Sequence, residues 1–270
     1  MNSLRGGIGR STARRWLIGI PWAALAVFVV VRGGTLMAVL LIALGLVALH
    51  ELYGMLEAVR PVRLAGFAGM AGLVIAAQYG DDFHIVMASA GAVLLTFLLV
   101  MIGDSRRHAT LAIGATLLGV FWVGLALAHA SLLRQLDHGD GLLIDVLIAT
   151  FVGDTAAYFG GRLYGTRALA PSISPGKTVE GLICGFLAGT LSFWFAGLYQ
   201  DWLSGADALA IGACVAAAAP FGDLFESMIK RDLGVKDAGR FFGEHGGALD
   251  RLDAAFVTVI VGYYAANAIL

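Results

Sequence analysis

The stretch KRDLGVKDAGRFFGEHGGALDRLD, residues 230–253, links the last two long apolar runs of the chain, at about 207–229 and 252–269. It is rich in Lys, Arg, Asp, Glu and His, whereas the runs beside it consist mostly of Ala, Leu, Val and Gly. A helix needs roughly 20 mostly apolar residues to cross a bilayer. The pattern therefore predicts a charged connection between two transmembrane helices.

The whole composition points the same way. Of 270 residues, 59% are hydrophobic and 14% are charged, against roughly 45–50% and about 25% in soluble domains. This balance predicts an all-α, polytopic integral membrane protein. The net charge of −1 gives no indication of a nucleic-acid partner, and none is expected.

Hydropathy predicts nine spans. They lie at about 16–31, 35–54, 64–79, 83–102, 109–130, 141–160, 179–200, 207–229 and 252–269. The first span follows an Arg-rich segment, as in a signal peptide. Because no clear small-residue cleavage site follows it and eight more spans do, we expect a retained helix.

The distribution of Lys and Arg predicts the orientation. With the N-terminus in the cytoplasm, only Arg32 and Arg134 fall on the external side. The cytoplasmic side receives Arg5, Arg10, Arg14, Arg15, Arg60, Arg63, Arg106, Arg107, Arg162, Arg167, Lys177, Lys230, Arg231, Lys236, Arg240 and Arg251. The bias predicts a single integral membrane domain over 1–270, with a cytoplasmic segment at 1–15 and an external C-terminus.

Small residues raise two further expectations. Gly181, Gly185 and Gly189 form a stripe that lets another helix approach closely, either inside the bundle or at a homodimer face. Cys184 and Cys214 lie in apolar runs without metal-ligand spacing, and we expect both to be free and buried.

The first charged segment at membrane depth is GDTAAYFGGRLYG, residues 153–165. Asp154 and Tyr158 are four residues apart, on one helical face. Gly160 and Gly161 are expected to end the helix before Arg162. The segment is interpreted either as part of a functional site or as a helix end with a snorkelling Arg.

The second segment is SPGKTVEG, residues 174–181, predicted to be a loop before a helix. Backbone N–H groups at a helix start favour anions, and Lys177 would add a positive charge. The segment does not match a Walker A loop, because Pro171 stands where that pattern needs its first Gly.

The third segment closes one helix and opens the next. Asp223, Glu226, Ser227 and Lys230 share one helical face. Because such a stripe is very unfavourable in lipid, it must face protein, water or ligand. Further candidate site residues lie in the connection and at the start of the next helix: Arg231, Lys236, Asp237, His245, Gly246, Gly247, Asp250, Arg251 and Asp253. Carboxylates from two helix ends with cations between them suit Mg²⁺ bound to a polyphosphate; a loop held by salt bridges is the alternative.

The segment from Ser227 to Asp253 resembles the signature of phosphatidate cytidylyltransferases, also called CDP-diacylglycerol synthases. The matching residues are Ser227, Lys230, Arg231, Lys236, Asp237, His245, Gly246, Gly247, Asp250, Arg251 and Asp253, while Ala248 replaces a larger aliphatic residue. Upstream, Asp154, Tyr158, Gly161, Arg162, Ser174, Pro175, Lys177, Thr178, Glu180 and Gly181 resemble the family as well. The specific match covers about residues 150–270, which would form the catalytic half.

The resemblance implies transfer of CMP from CTP to phosphatidate in the inner (cell) membrane, with the active site facing the cytoplasm. It implies that Asp223 and Asp250 are metal ligands, for Mg²⁺ or Mn²⁺, with room for a second cation. We expect Asp223, Asp250, Lys230 and Arg231 to be catalytic. The expected substrate-binding residues are Lys177, Ser174, Lys236, His245, Gly246, Gly247, Arg251, Asp154 and Arg162.

Two other functions remain open at this point. A CTP-dependent polyprenol or lipid kinase would transfer the γ-phosphate and release CDP. A transporter would place its ionisable residues near the bilayer midplane, whereas here they cluster at one face. An ether lipid is a further alternative as the substrate of a cytidylyltransferase.

Overall fold

The computed structural model describes residues 24–103, 108–239 and 246–270. Residues 24–32 are helical, and eight longer helices follow. Their bounds are α1 Gly34–Met55, α2 Arg63–Tyr79, α3 Asp82–Ile102, α4 Ala109–Gln135, α5 Gly139–Tyr164, α6 Val179–Gly197, α7 Gly205–Asp232 and α8 Leu249–Ile269. A π-helical turn at Val120–Gly124 interrupts α4.

Within the described ranges, seven of these helices are long and apolar enough to cross a membrane. The prediction of an α-helical, polytopic membrane protein is confirmed at this level. Helix α2 forms where the third span was predicted, but its 17 residues make it shorter than the others. The first half of the first predicted span, residues 16–23, lies outside the described residues, so the count of nine stays a prediction.

The glycine stripe of α6 is used inside the chain. Gly181, Gly185 and Gly189 are all buried. A β-carbon on Gly185 would lie 2.9 Å from the Ala157 β-carbon of α5, and one on Gly189 would lie 3.0 Å from a side chain of α7. Close packing of α6 against both helices therefore requires glycine at these positions, and the interpretation of this stripe as a dimer face is wrong.

Two local expectations are also wrong. Gly160 and Gly161 do not end their helix, because α5 continues to Tyr164; Gly160 instead makes room for the side chain of Cys184. Both cysteines are free, but Cys214 is exposed and Cys184 only half-buried. An apolar helix face that points away from the bundle is covered by lipid, not by protein, so hydropathy alone could not tell the two environments apart.

A small antiparallel hairpin departs from the all-α expectation. Strand β1, Ala168–Ala170, pairs with β2, Ser174–Thr178, where a loop was predicted. The carboxylate of Glu180 accepts hydrogen bonds from the backbone N–H groups of Thr166 and Arg167 at 3.1 and 3.2 Å. The first turn of α6 thus fixes the start of the hairpin, and the hairpin holds Lys177 beside the helices.

Candidate active site

A cavity of about 420 Å³ lies where the hairpin meets α5, α6 and α7. Its polar lining includes Asp154, Tyr158, Arg162, Lys177 and Asp223, and its apolar lining includes Ala157, Leu169, Leu182 and Pro220. The first two charged segments of the sequence therefore meet the third at one cavity, as expected of a shared site.

An ion pair stands in this cavity. Lys177 Nζ lies 2.6 Å from Asp223 Oδ2, and the two side chains keep 23% and 39% of their surface exposed. Asp154 of α5 is close enough for its negative charge to interact with Asp223 and with Lys177. Three elements far apart in sequence thus contribute one cation and two carboxylates to an open site.

A second charged cluster is closed. Lys230 Nζ lies 2.8 Å from Glu226 Oε2 and 3.0 Å from Asp250 Oδ1. The side chains of Lys230 and Asp250 are each 12% exposed and that of Glu226 only 1%. The predicted stripe on α7 therefore has two different environments. Asp223 lines the cavity, whereas Glu226 and Lys230 pack toward α8.

Backbone groups of the connection between α7 and α8 complete the surroundings of Asp250. The N–H of Ala238 lies 3.0 Å from Asp250 Oδ1 and 3.1 Å from Asp250 Oδ2. The N–H of Gly247 donates to Asp250 Oδ2 at 2.8 Å. Gly246 has φ +84°, in the left-handed region that favours glycine. The glycine pair therefore shapes the cradle of Asp250, and His245 lies outside the described residues.

The other predicted site residues differ in where they lie. Arg231 Nε donates to the carbonyl of Ile173 at 3.3 Å, which places the end of α7 against the hairpin next to Ser174. Arg162 Nη1 donates to the Tyr158 hydroxyl at 3.1 Å. Lys236 and Arg251 are exposed. The cavity lining therefore includes Arg162 but not Arg231, Lys236 or Arg251.

The residues fit a divalent cation better at Asp223 than at Asp250. In the described part of the chain, no three acidic, His or Cys side chains form a metal-binding group. However, Mg²⁺ commonly takes only one or two protein carboxylates together with substrate phosphates and water. Asp223 is accessible to such a complex. A cation at Asp250 would have to replace one of the donors that already occupy its oxygens.

Three features of the site were missed. Asp253 of α8 is buried and close enough for charge interaction with Asp223 and Asp154; it belonged to the signature but was given no role. Pro220 lines the cavity one turn before Asp223, inside α7. Glu51 of α1 is buried against the signature segment. A charge at membrane depth is a signal that could have identified Glu51 from the sequence.

The chain is similar to known proteins along nearly its whole length. The model of the cytidylyltransferase family matches residues 13–269. The chain is similar to the phosphatidate cytidylyltransferase of Mycobacterium leprae, with 30% identity over 94% of this chain and 87% of the relative. It is similar to the Staphylococcus epidermidis enzyme of the same name, with 29% identity over 86% and 90%.

A third relative has no assigned activity. The uncharacterized protein YnbB of Escherichia coli is 33% identical over 71% of this chain, and the match covers 66% of its own length. The family match, by contrast, includes nearly every helix described above and both charged clusters. The chain therefore belongs to the cytidylyltransferase family.

Proposed function

We propose that this protein is a phosphatidate cytidylyltransferase, which converts CTP and phosphatidate to CDP-diacylglycerol and pyrophosphate. The observation that carries the proposal is the Lys177–Asp223 pair in a cavity at the end of a membrane helix bundle. The names of the Mycobacterium and Staphylococcus relatives support the same substrates. The site offers cations for phosphates and a carboxylate for a metal ion.

The chemistry requires positioning more than proton transfer. A phosphate oxygen of phosphatidate attacks the α-phosphorus of CTP, a new P–O bond forms, and the bond from the α-phosphorus to the bridging oxygen breaks. Pyrophosphate leaves with the electron pair. Since a phosphate monoester has a second pKa of about 6, the attacking group is already a dianion at pH 7. The site therefore has to align two anions and neutralise their charge.

We assign the cationic side chains to substrate phosphates and the carboxylates to a metal ion. Lys177 and Lys230 each neutralise a carboxylate in the structure, and we assign them to substrate phosphates when CTP is bound. We also assign Arg231, Lys236 and Arg251 to substrate binding. Asp223 and Asp250 are the proposed ligands of Mg²⁺, or of Mn²⁺, which would neutralise polyphosphate charge when bound.

The lining of the cavity suits a lipid beside a nucleotide. Leu169, Leu182 and Ala157 provide apolar surface next to the charged groups. Tyr158 and Tyr164 are exposed near the end of α5, and tyrosines commonly anchor helices at the membrane–water interface. We therefore expect phosphatidate to enter from the bilayer and CTP to enter from the water.

The proposed orientation follows from the same charges. Arg134, one of the two predicted external cations, donates from Nε to the carbonyl of Val30 and from Nη2 to that of Val31, at 2.5 and 3.0 Å. It thus has a structural role at a helix end. Apart from Arg32 and Arg134, every Lys and Arg falls on the side proposed to be cytoplasmic. We propose a cytoplasmic active site in the inner membrane, with an external C-terminus.

One assay tests the reaction. Purified protein is incubated with Mg²⁺, phosphatidate and CTP that carries label in the cytosine or in the γ-phosphate. We expect label from cytosine in the lipid product and label from the γ-phosphate in pyrophosphate. Release of CDP with γ-label in the lipid would contradict the proposal and identify a CTP-dependent lipid kinase. If neither label reached the lipid, both enzyme assignments would be contradicted.

A further inference from the structure

Glu51 is a buried acid in the half of the chain that carries no signature. It lies near the end of α1, with 8% of its surface exposed, beside the fully buried Leu52 and Tyr53. A buried carboxylate is costly unless it is hydrogen-bonded or paired. Its partners therefore indicate what the residue stabilises.

One partner is the start of α8. The backbone N–H of Leu249 donates to Glu51 Oε2 at 3.0 Å, a contact between residues 198 apart in sequence. Leu249 is the first residue of α8, and the preceding Ala248 provides no side-chain cap. The carboxylate thus caps α8 from another helix, where its negative charge also complements the helix dipole.

The connection between α7 and α8 approaches Glu51 on both sides of residues 240–245. A β-carbon on Gly247 would lie 2.5 Å from Glu51 Oε2, and a β-carbon on Gly239 would overlap Oε1. Real β-carbons do not come this close, so a side chain at either position would displace the Glu51 carboxylate. The side chain of Glu51 is therefore enclosed by the two described ends of the connection.

These same ends cradle Asp250. Gly247, which packs on Glu51, donates its N–H to Asp250 Oδ2. Ala238, next to Gly239, donates to both Asp250 oxygens. The connection is thus held between the Glu51 carboxylate and the Asp250 carboxylate.

We propose that Glu51 is a positioning residue, which fixes the connection around Asp250 and so sets the geometry of the nucleotide and metal site. The expected effect of Glu51 on catalysis rests on the proposed function, whereas its expected effect on the connection does not. Residues that orient metal ligands typically change metal affinity or activity by 10–100-fold when removed. The N-terminal half of the chain would then contribute directly to the site.

The test uses the full-length protein and three variants. Glu51→Ala removes the carboxylate, and Glu51→Gln keeps one acceptor oxygen without the charge. Glu57→Gln is the matched control, because Glu57 lies just beyond α1 with an 81% exposed side chain and only a 4.0 Å contact to Arg63. Amide hydrogen exchange over 246–250 is measured by mass spectrometry, without substrates, and steady-state kinetics are measured across a Mg²⁺ titration.

We expect Glu51→Ala to speed exchange over 246–250 by about tenfold or more while the distal part of α8, residues 258–269, stays protected. The Mg²⁺ concentration for half-maximal activity should rise and kcat/KM for CTP should fall about 10–100-fold. Glu51→Gln should show smaller changes in the same direction, and Glu57→Gln none.

Wild-type exchange over 246–250 in Glu51→Ala would overturn the proposal, as would equal deprotection along all of α8. If Glu51→Ala does not fold, Glu51→Gln decides: wild-type exchange together with a wild-type Mg²⁺ dependence would overturn it. The exchange result stands whether or not the wild type makes CDP-diacylglycerol. Failure of the proposed reaction is therefore distinguishable from failure of this inference.

Discussion

The two charged clusters use the same residue types but have opposite environments. In the open cluster, Lys177 and Asp223 meet in a cavity and are 23% and 39% exposed. In the closed cluster, Lys230 lies between Glu226 and Asp250, and no side chain is more than 12% exposed. A ligand can reach Asp223 in the cavity directly, whereas both oxygens of Asp250 in the closed cluster already accept from Lys230 or from backbone N–H groups.

The difference indicates a division of labour along a single helix. Asp223 and Lys230 are two turns apart on α7, yet only Asp223 turns to the cavity. An exposed pair is worth little to folding, whereas a buried charge that loses its partner costs much. We therefore expect the open pair to govern substrate binding and turnover, and the closed cluster to govern both geometry and stability.

Replacing the proposed metal ligands should have the largest effect on activity. Asp223→Asn and Asp250→Asn keep the size of the side chain but remove the charge that a cation requires. Each should lower kcat on the order of 100-fold, given the several kcal/mol that metal-ion charge stabilisation contributes. Turnover of CTP and phosphatidate by the purified variants across a Mg²⁺ titration measures this.

Stability separates these two variants. Asp223→Asn should melt within a few degrees of the wild type, because the Asp223 side chain is 39% exposed and the Asp154 carboxylate remains close to Lys177. Asp250→Asn should melt clearly lower, since Lys230 loses a buried partner. Equal melting temperatures of Asp223→Asn and Asp250→Asn would contradict the distinction between an open and a closed cluster. Asp207→Asn, which changes the side chain that accepts from the Ser204 hydroxyl at the far end of α7, is the control and should keep full turnover.

Removing Lys230 tests the closed cluster alone. Lys230→Met leaves the buried Glu226 and Asp250 carboxylates without their shared cation. Breaking a buried ion pair typically costs about 3–5 kcal/mol, so we expect a marked loss in thermal stability as well as in turnover. A variant with wild-type stability would show that the cluster is solvated and that its closure is not a structural requirement.

Removing Lys177 should have the smallest effect of the three. Lys177→Met deletes one charged contact to CTP, and bonds to charged groups are worth about 1.5–3 kcal/mol. The KM for CTP should therefore rise about tenfold or more while thermal stability stays unchanged. Wild-type kinetics would remove Lys177 from the substrate site.

Hydropathy predicted the helices well because each is a continuous apolar run. The predicted span 35–54 became Gly34–Met55, and 83–102 became Asp82–Ile102. Helix ends next to charged segments were less predictable. The last span was predicted to begin at about residue 252, but α8 begins at Leu249, where the distant Glu51 caps the helix. The hairpin was missed because its pairing depends on Glu180 and on the neighbouring helices.

The sequence identified many residues of the candidate site but not all of their contacts. The residues with unusual charge in an apolar chain, such as Lys177 and Asp223, were identified and do meet at one cavity. Spacing on α7 placed Asp223 and Lys230 on a common face, but it could not show that they contact different partners. Glu51 was missed because its role depends on a contact between opposite ends of the chain.

Binding of CTP in the absence of phosphatidate tests the central claim most directly. Equilibrium binding of labelled CTP with Mg²⁺ is measured for purified wild type, Asp223→Asn and the control Asp207→Asn. If the open pair is the nucleotide and metal site, Asp223→Asn should raise the Kd at least about tenfold, which corresponds to about 1.4 kcal/mol. Asp207→Asn should bind like the wild type. A folded Asp223→Asn protein with wild-type affinity would contradict the assignment of CTP to this cavity.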